Sequence, residues 1–410
     1  MPPNDESPST SAALFDNKLL VLFWCARVST AVAYQMLAVA VGWQIYALTG
    51  SPFYLGLVGL AQFLPMFLLT LVVGHVADRY DRRLVISVCQ CIEGAGVVVL
   101  AAGSFSGWLS KEVILGIVFV VGAARAFETP TMQALLPNLV PINVFPRAVA
   151  WSTSSAQTAI VVGPALGGLL YALEPTLTYS IIGLLFLSAA LLVSLIRIER
   201  RREESGPVSL KSLFAGIAFI RANPAILGAI SLDLFAVLLG GATALLPVYA
   251  RDILFVGPWG LGLLRSAPAV GALAMSLGLA HHPLRARVGR TMFVAVIIFG
   301  IGTIAFAVSK SFLLSLASLI VLGAADVISV VIRQLLVQMR TPDAMRGRVA
   351  AVNSMFVGTS NQLGEFESGL TAAWFGVVPA VLIGGIGTIV VALLWMRLFP
   401  QLARIDTADG

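Results

Sequence analysis

The chain contains 410 residues, of which 58% are hydrophobic and only 11% are charged. Soluble domains carry roughly 25% charged residues, and a soluble globule of this length cannot keep so much apolar surface out of water. The composition therefore excludes a soluble protein and predicts one that lies in a lipid bilayer. The net charge of +6 does not indicate nucleic-acid binding, because the basic residues are distributed over short intervals between apolar stretches.

Twelve apolar stretches are long enough to cross a bilayer, which takes about 20 apolar residues in a helix. They lie at 18–48, 53–76, 84–103, 112–136, 146–171, 175–197, 224–250, 260–280, 291–309, 312–338, 348–373 and 378–398. The intervals between these spans are short, and the apolar runs lack the alternation of a membrane barrel. The predicted fold class is an all-α membrane protein with 12 transmembrane helices.

The basic residues predict which side of the membrane each interval faces. Most of the 26 lysines and arginines lie on the side of both termini, whereas Lys111, Arg251 and Lys310 lie on the other side. Cytoplasmic loops carry such an excess, so we expect a bacterial inner-membrane protein with both termini in the cytoplasm. Residues 1–17 are expected to form a disordered cytoplasmic tail, because they lack the order of a signal peptide, and residues 399–410 form a second tail.

The interval after the second span combines a small helix-packing residue with an acid and several arginines. These residues are Gly74, Asp78, Arg79, Arg82 and Arg83. Asp78 ends a membrane helix beside basic side chains, where it can pair with them and with the N-terminus of a neighbouring helix. The alternative is a basic loop that only sets the topology.

Residues 163–168 of the fifth span read GPALGG. Glycines allow two helices to touch backbone to backbone, and a proline bends the helix that contains it. We therefore expect Gly163, Pro164, Gly167 and Gly168 to form a helix-packing motif.

The second half of the chain repeats the first at a constant offset of 201 positions. The matched pairs include Gly122 with Gly323, Gln133 with Gln334, Pro141 with Pro342, Arg147 with Arg348, and Gly168 with Gly369. Parallel repeats are typical of transporters whose binding site lies between the halves near the bilayer midplane. The predicted domains are two six-helix halves at 18–197 and 224–398, joined by a cytoplasmic linker at 198–223 whose apolar residues recur at amphipathic-helix spacing.

These features resemble the major facilitator superfamily. The loop at 74–83 resembles the signature loop of that superfamily, although Asp81 stands where the pattern has its second glycine. Arg125 in the fourth span resembles an arginine that drug–proton antiporters use in proton coupling. The segments at 122–141 and 341–348 resemble the branch that includes the enterobactin exporter and macrolide efflux proteins.

The resemblance implies a mechanism as well as a fold. In the superfamily, the signature loop latches the halves together on the cytoplasmic side in the outward-facing state. Spans 1, 4, 7 and 10 line the cavity. The GPALGG sequence is similar to a motif of antiporters, with Ala159 in place of an upstream glycine, and this similarity implies export.

Ionisable side chains at the centre of a bilayer cost several kcal/mol, so they are usually paired, exposed to water or functional. The candidate substrate and proton pathway consists of Trp24, Arg27, Tyr34, Arg125, Glu128, Asp233, Asp326, Arg333, Asn361 and Glu365. Arg125 and Glu128 are three positions apart, so they share a helix face and can pair.

Two further relationships follow from position. Asp326 and Arg333 also share a helix face. Arg27 and Asp233 lie at similar depths in spans 1 and 7, so an ion pair between the halves could close a gate; the alternative is a pair buried within one half for packing. Glu93 is either a proton site or a packing residue that is hydrogen-bonded to a neighbour.

We expect a proton-coupled secondary transporter that exports a small amphipathic compound by alternating access. The sequence contains no Gly-x-x-x-x-Gly-Lys-Ser/Thr segment for ATP. The alternative is an importer or facilitator of a polar solute, and a remote alternative is an intramembrane enzyme. The expected partners are the small-molecule substrate, protons and the bilayer, with no cofactor, metal or nucleic acid, and the expected state is a monomer.

Overall fold

The structure is a computed structural model that describes residues 17–141, 143–197, 210–282 and 287–406. These residues form helices joined by short turns, and no strand occurs among them. Residues 1–16 of the predicted N-terminal tail and residues 198–209 of the predicted linker lie outside the described residues. The surroundings of Gly74 and the side chain of Asp78 lie outside the described part as well.

Six long helices form the first half of the molecule: α1 (Lys18–Thr49), α2 (Pro52–Arg79), α3 (Arg82–Ser106), α4 (Lys111–Leu135), α5 (Phe145–Leu173) and α6 (Pro175–Ser194). A shorter helix, α7 (Leu210–Ala222), precedes the second half. That half contains α8 (Pro224–Leu239), α9 (Gly257–His281), α10 (Val288–Val308), α11 (Phe312–Arg340), α12 (Asp343–Phe375) and α13 (Val377–Leu398), followed by one short turn, α14 (Pro400–Ala403).

Polar side chains fix where several helices begin. The Asn17 side chain accepts hydrogen bonds from the backbone N–H groups of Leu19 and Leu20, at 3.1 and 3.3 Å. Glu174 accepts equivalent bonds at the start of α6. These contacts satisfy backbone donors that have no partner inside the helix. Helix α1 ends at Gly50, whose φ of 60° favours glycine.

The two halves pack their helices in the same way. In the first half, α2 packs on α4, and α3 packs on both α4 and α6; in the second half, α9 packs on α11, and α10 packs on both α11 and α13. The halves meet through α2 against α12 and α5 against α9. The two interfaces are equivalent under the internal repeat, which gives the predicted layout of two pseudo-symmetric six-helix halves.

Eleven helical segments in the described part of the chain are both long and apolar enough to cross a membrane. The twelfth spanning helix is α12, which has 33 residues and packs against α2 and α8. Its hydropathy is lower because it contains Asn353, Asn361, Gln362, Glu365 and Glu367. The predicted fold class is confirmed.

The seventh span is not one continuous α-helix. Helix α8 ends at Leu239, and the span continues through a 3₁₀ turn (Ala242–Leu245), a short α turn and a π turn (Tyr249–Ile253). At the break, a Cβ atom on Gly241 would lie 2.5 Å from the carbonyl oxygen of Gly364 in α12. Glycine therefore lets the interrupted span lie directly against α12.

Candidate functional site: a cavity in the first half

Both ends of the described chain lie on one side of the helix bundle, here called the terminal side. Asn17 donates a hydrogen bond to the carbonyl oxygen of Leu139, between α4 and α5, at 3.0 Å. The backbone N–H of Val288, at the start of α10, donates to the carbonyl oxygen of Asp406 at 3.3 Å. The opposite side is here called the far side.

On the far side, the end of α1 contacts the π turn of the second half. The Tyr46 hydroxyl group donates a hydrogen bond to the Asp252 carboxylate, and Arg251 donates to the carbonyl oxygen of Tyr46 at 3.2 Å. The Arg251 guanidinium group also lies 5.5 Å from the centre of the Tyr46 ring. One tyrosine therefore joins the two halves through three contacts.

Glycines bring the halves into backbone contact between the far side and the centre. A Cβ atom on Gly56 of α2 would lie 2.9 Å from the carbonyl oxygen of Phe366 and 3.1 Å from the Cα atom of Gly369 in α12. A Cβ atom on Gly168 of α5 would lie 2.8 Å from the Cα atom of Gly262 in α9. Because side chains cannot fit at these points, the halves are held closed on the far side.

Towards the terminal side, the first half contains a cavity of about 130 Å³. Residues of α1, α4 and α5 line it: Arg27, Thr30, Ala31, Arg125, Glu128, Thr129, Met132, Gln133 and Ala156. Thr129 and Gln133 are exposed, so the cavity opens towards the terminal side. The sequence predictions for Arg27, Arg125 and Glu128 thus fall on one cavity wall.

Arg125, on this wall, lies over the aromatic ring of Tyr34. The Arg125 guanidinium group lies 3.5 Å from the centre of the Tyr34 ring, a short cation–π contact. The Tyr34 hydroxyl group donates to Oε1 of Gln62 in α2 at 2.5 Å. Arg125 therefore binds an aromatic face, and among the described residues it forms no ion pair with Glu128.

Glu128 is a buried part of the same wall. Its Oε1 atom accepts a hydrogen bond from Nε2 of Gln90 in α3 at 2.9 Å, and the same Nε2 atom donates to the Thr30 hydroxyl group at 3.0 Å. Only 3% of Glu128 and none of Gln90 is exposed. One amide group thus links α1, α3 and α4 at the back of the cavity.

Trp24 lies one turn of α1 before Arg27 and contacts α5. Its ring centroid is 6.1 Å from that of Trp151, with the rings tilted by 38°. Trp24 is buried, whereas 47% of Trp151 is exposed. An aromatic surface therefore lies beside the charged wall on the terminal side.

The sequence hypothesis of an ion pair between Arg27 and Asp233 differs from what the structure contains. Asp233 in α8 forms an ion pair with Arg333 in α11, and both side chains are buried within the second half. Arg333 lies about two turns from the terminal-side end of its helix, and Asp233 lies at a similar depth in α8, so the two charges meet. This is the alternative in which the pair is buried within one half.

The other candidates in the second half occupy different places. Asp326 lines a small cavity of about 10 Å³ that also borders the ion pair. Asn361 in α12 is exposed. Glu365 lies where α12 meets α2: a Cβ atom on Gly59 would be 2.8 Å from the Cβ atom of Glu365. Arg265 of α9 lies close enough to Glu365 to attract its carboxyl group electrostatically.

A sequence model of the family described as transmembrane secretion effector matches residues 9–409 of the chain. The chain belongs to this family of the major facilitator superfamily. The transporter is 23% identical to macrolide efflux protein A of Streptococcus pyogenes, over 93% of this chain and 96% of that protein. It is 27% identical to the enterobactin exporter EntS of Citrobacter koseri, over 92% of this chain and 91% of that protein.

Solved structures share the fold of the transporter. The nucleoside transporter NupG superimposes with a TM-score of 0.74 at 16% identity, covering 93% of this chain and 99% of that chain. An inward-facing, occupied bacterial homolog of the human lysosomal transporter Spinster gives a TM-score of 0.73 at 15% identity, covering 97% and 99%. The predicted superfamily is confirmed, and the protein is a multi-pass membrane transporter rather than an enzyme.

The helix-packing motif of the transporter contacts two different partners. A Cβ atom on Gly163 would lie 2.6 Å from the Cβ atom of Gln35, and one on Gly167 would lie 2.8 Å from the Cα atom of Met36. Both contacts are with α1 of the same half. Gly168 faces α9 of the other half, as described above, and Pro164 contributes its carbonyl oxygen to that interface.

The arginines of the predicted latch bind within the first half of the transporter. Arg82 donates to a backbone carbonyl group in the last turn of α4 at 2.7 Å. Arg83 donates to the carbonyl oxygen of Ile196 at 2.6 Å and forms an ion pair with Asp81 at 2.7 Å. Arg79 is exposed. Among the described residues, these contacts do not reach the second half.

Spacing along single helices does not reveal the partners Gln90, Gln62, Tyr46 and Asp252. For Gln90, the sequence offers one indication of a role: it is a polar amide inside an apolar span. Tyr46 and Asp252 lie near span ends, where aromatic and charged residues are common in any membrane protein. Their roles follow only from how the helices pack.

Proposed function

We propose that the transporter is a proton-coupled exporter of a small amphipathic organic compound, and that it works as a monomer by alternating access in a bacterial inner membrane. The excess of basic residues on the terminal side supports a cytoplasmic location for both termini. In that orientation, the cavity opens towards the cytoplasm, the side from which an exporter takes up its substrate.

The cavity carries this proposal. Its wall combines two guanidinium groups, a buried carboxyl group and hydroxyl and amide groups, and Trp24 and Trp151 lie beside it. Binding sites for organic compounds combine a largely apolar surface with a few convergent polar groups. This lining suits a substrate that has both an apolar body and polar substituents.

The relatives support export as the direction. Macrolide efflux protein A and the enterobactin exporter are both named as exporters of organic compounds, and each matches more than nine-tenths of this chain. The similarity of the GPALGG segment to antiporter sequences points the same way. A macrolide and enterobactin are therefore the first substrates to test.

Proton coupling rests on the buried carboxyl groups. Glu128 reaches the cavity wall, close to Arg125 and Arg27, and Asp233 is paired with Arg333. A charged side chain within the membrane is costly unless it is paired or reaches water. Taking up a proton changes that balance and can favour one conformation over the other, which couples proton movement to transport.

Inverted membrane vesicles test the proposal directly. We expect accumulation of at least one compound from a panel of macrolides, enterobactin and dyes, and we expect this accumulation to stop when a protonophore removes the proton gradient. Vesicles without the transporter are the background, and Glu112→Gln, which changes an exposed far-side carboxylate, is the matched variant control. Accumulation that is indifferent to the protonophore would refute proton coupling.

An importer or facilitator of a polar solute is the second candidate. The hydroxyl and amide groups of Thr30, Thr129 and Gln133 on the cavity wall favour it. Right-side-out vesicles distinguish the two functions, because an importer accumulates polar solutes in them whereas an exporter does not.

A further inference from the structure

We infer that Glu93 and Glu128, joined by Gln90, form a two-carboxyl proton-binding site at the cavity wall, and that Glu93 carries the proton in the conformation open to the terminal side. This inference deepens the proton coupling proposed above and rests on it. It assigns the proton to a helix, α3, that lies outside the lining of the cavity.

The first support is burial. Glu93 is not exposed at all, and Glu128 is 3% exposed. Glu93 lies eleven positions into the 25-residue helix α3, which places it near mid-membrane. At the next position, a Cβ atom on Gly94 would lie 2.8 Å from the Leu187 side chain of α6, so α3 and α6 are closely packed at this depth.

The second support is the set of hydrogen-bond donors and acceptors. Gln90 uses its Nε2 group for Glu128 and Thr30. Its Oε1 atom and both carboxyl oxygens of Glu93 have no partner among the described residues. Gln90 and Glu93 are three positions apart on one helix, so they share a face.

An ionised Glu93 would add two further acceptors to a place that already has an unused acceptor. A protonated carboxyl group instead offers one O–H donor, which is the group that Oε1 of Gln90 lacks. In this arrangement, the protonated Glu93 carboxyl group donates a hydrogen bond to Oε1 of Gln90, and Nε2 of Gln90 donates to Oε1 of Glu128. Glu93 is then neutral and Glu128 is charged. Because buried polar groups without partners are costly, this arrangement is favoured.

The charges around the pair agree with a single proton. Arg125 and Glu128 of α4 lie close enough to Glu93 to interact with it electrostatically. Glu128 in turn interacts with Arg125 and with Arg27 of α1. Two nearby carboxylates with little solvent repel each other, so a pair of this kind takes up protons in coupled steps.

The other titratable groups that face the pair are neutral. They are the Tyr34 hydroxyl of α1 and the Cys89 thiol of α3, and the sequence of α6 contains no charged residue. Neither guanidinium group forms an ion pair with Glu93 or Glu128 in the described structure.

The arrangement separates the proton from the substrate. Glu128 and Arg125 border the cavity and can sense an occupant, whereas Glu93 lies behind them. A substrate that moves Arg125 closer to the carboxyl pair brings positive charge towards it, and the pair then releases its proton, as an exporter driven by inward proton movement requires. Occupation of the cavity and protonation of α3 are thereby linked.

Infrared spectroscopy of the full-length transporter in lipid nanodiscs tests whether Glu93 holds a proton. At neutral pH, we expect the C=O stretching band of protonated carboxylic acids to lose the intensity of one group in Glu93→Gln. The band should persist in Glu93→Asp, which keeps a carboxyl group, and in Glu112→Gln, whose carboxylate is exposed. An identical band in wild type and Glu93→Gln would overturn the inference.

Transport in vesicles gives the second readout. The ratio of transport rates with and without a proton gradient is expected to fall to unity in Glu93→Gln and to recover in Glu93→Asp. A wild-type ratio retained by Glu93→Gln overturns the inference even if the band changes. If the wild type itself ignores the gradient, the proposed coupling fails, and the infrared band alone then decides whether Glu93 holds a proton.

Discussion

The Tyr46 hydroxyl group at the end of α1 donates a hydrogen bond to the Asp252 carboxylate in the π turn of the second half. Hydrogen bonds to charged groups contribute about 1.5–3 kcal/mol. We expect Tyr46→Phe to weaken closure of the far side and shift the conformational equilibrium about tenfold or more towards far-side opening. Spin labels at Ser51 and Lys310, on the two halves, should show a larger fraction of long distances.

Tyr54→Phe is the matched control for this experiment. The Tyr54 hydroxyl group accepts a hydrogen bond from Lys111 at 2.8 Å, and both residues belong to the first half. The same loss of a hydroxyl group on the same side should therefore leave the distance distribution unchanged. Equal distributions in Tyr46→Phe and wild type would show that the contact does not hold the halves together.

The ion pair between Asp233 and Arg333 predicts a large effect on stability. Asp233→Asn leaves a buried guanidinium group without its counterion, which typically costs about 3–5 kcal/mol. We expect a clear fall in the melting temperature of the purified protein. The double variant Asp233→Leu with Arg333→Met should recover most of the loss, because well-packed apolar side chains replace buried ion pairs at little cost.

The exposed pair of Asp343 and Arg346 provides the comparison. Its atoms lie 2.8 Å apart, but surface ion pairs contribute only about 0–1 kcal/mol. Asp343→Asn should therefore leave the melting temperature nearly unchanged. Equal losses in Asp233→Asn and Asp343→Asn would contradict the role assigned to burial.

Adjacent glycines of the helix-packing motif should give different defects. Gly167 faces α1 of its own half, so Gly167→Leu is expected to lower the folded yield. Gly168 faces α9 of the other half, so Gly168→Leu should fold better but keep the far side open and stop transport. Leu169→Ala, at a side chain that is 54% exposed, should have little effect on either; silent changes at both glycines would refute the packing account.

The latch prediction concerns the terminal side. The resemblance to the superfamily implies that Asp78 holds the two halves together on the terminal side in the outward-facing state. Asp78→Asn should leave the protein inserted but raise the labelling rate of a cysteine placed at Thr129 on the cavity wall. Unchanged labelling together with normal transport would remove Asp78 from the mechanism.

The helix number and the superfamily could be predicted because both depend on short-range patterns. Span length and hydropathy determine which segments cross a bilayer, and the constant spacing of Gly168 and Gly369 reveals the repeat. Spacing also places Arg125 and Glu128 on one face. These properties need no knowledge of how one helix is rotated against another.

The partners of the charged residues could not be predicted in the same way. Helical spacing put Arg333 on the same stripe as Asp326, yet it binds Asp233 on another helix. Spacing allowed Arg125 to pair with Glu128, yet Arg125 lies on the Tyr34 ring. Which partner a charged residue binds depends on how neighbouring helices are rotated and how deep they lie relative to one another. Several such arrangements fit the same sequence pattern, so the pattern does not identify the partner.

The polarity of α12 has a consequence for how the protein is made. An ionised side chain near the centre of a helix costs about 3 kcal/mol during insertion, and Glu365 and Glu367 lie within two positions of each other. Helix α12 is thus a poor candidate to enter the bilayer alone from the translocon. We expect it to enter the membrane after α2 and α8, because these are the helices against which it packs.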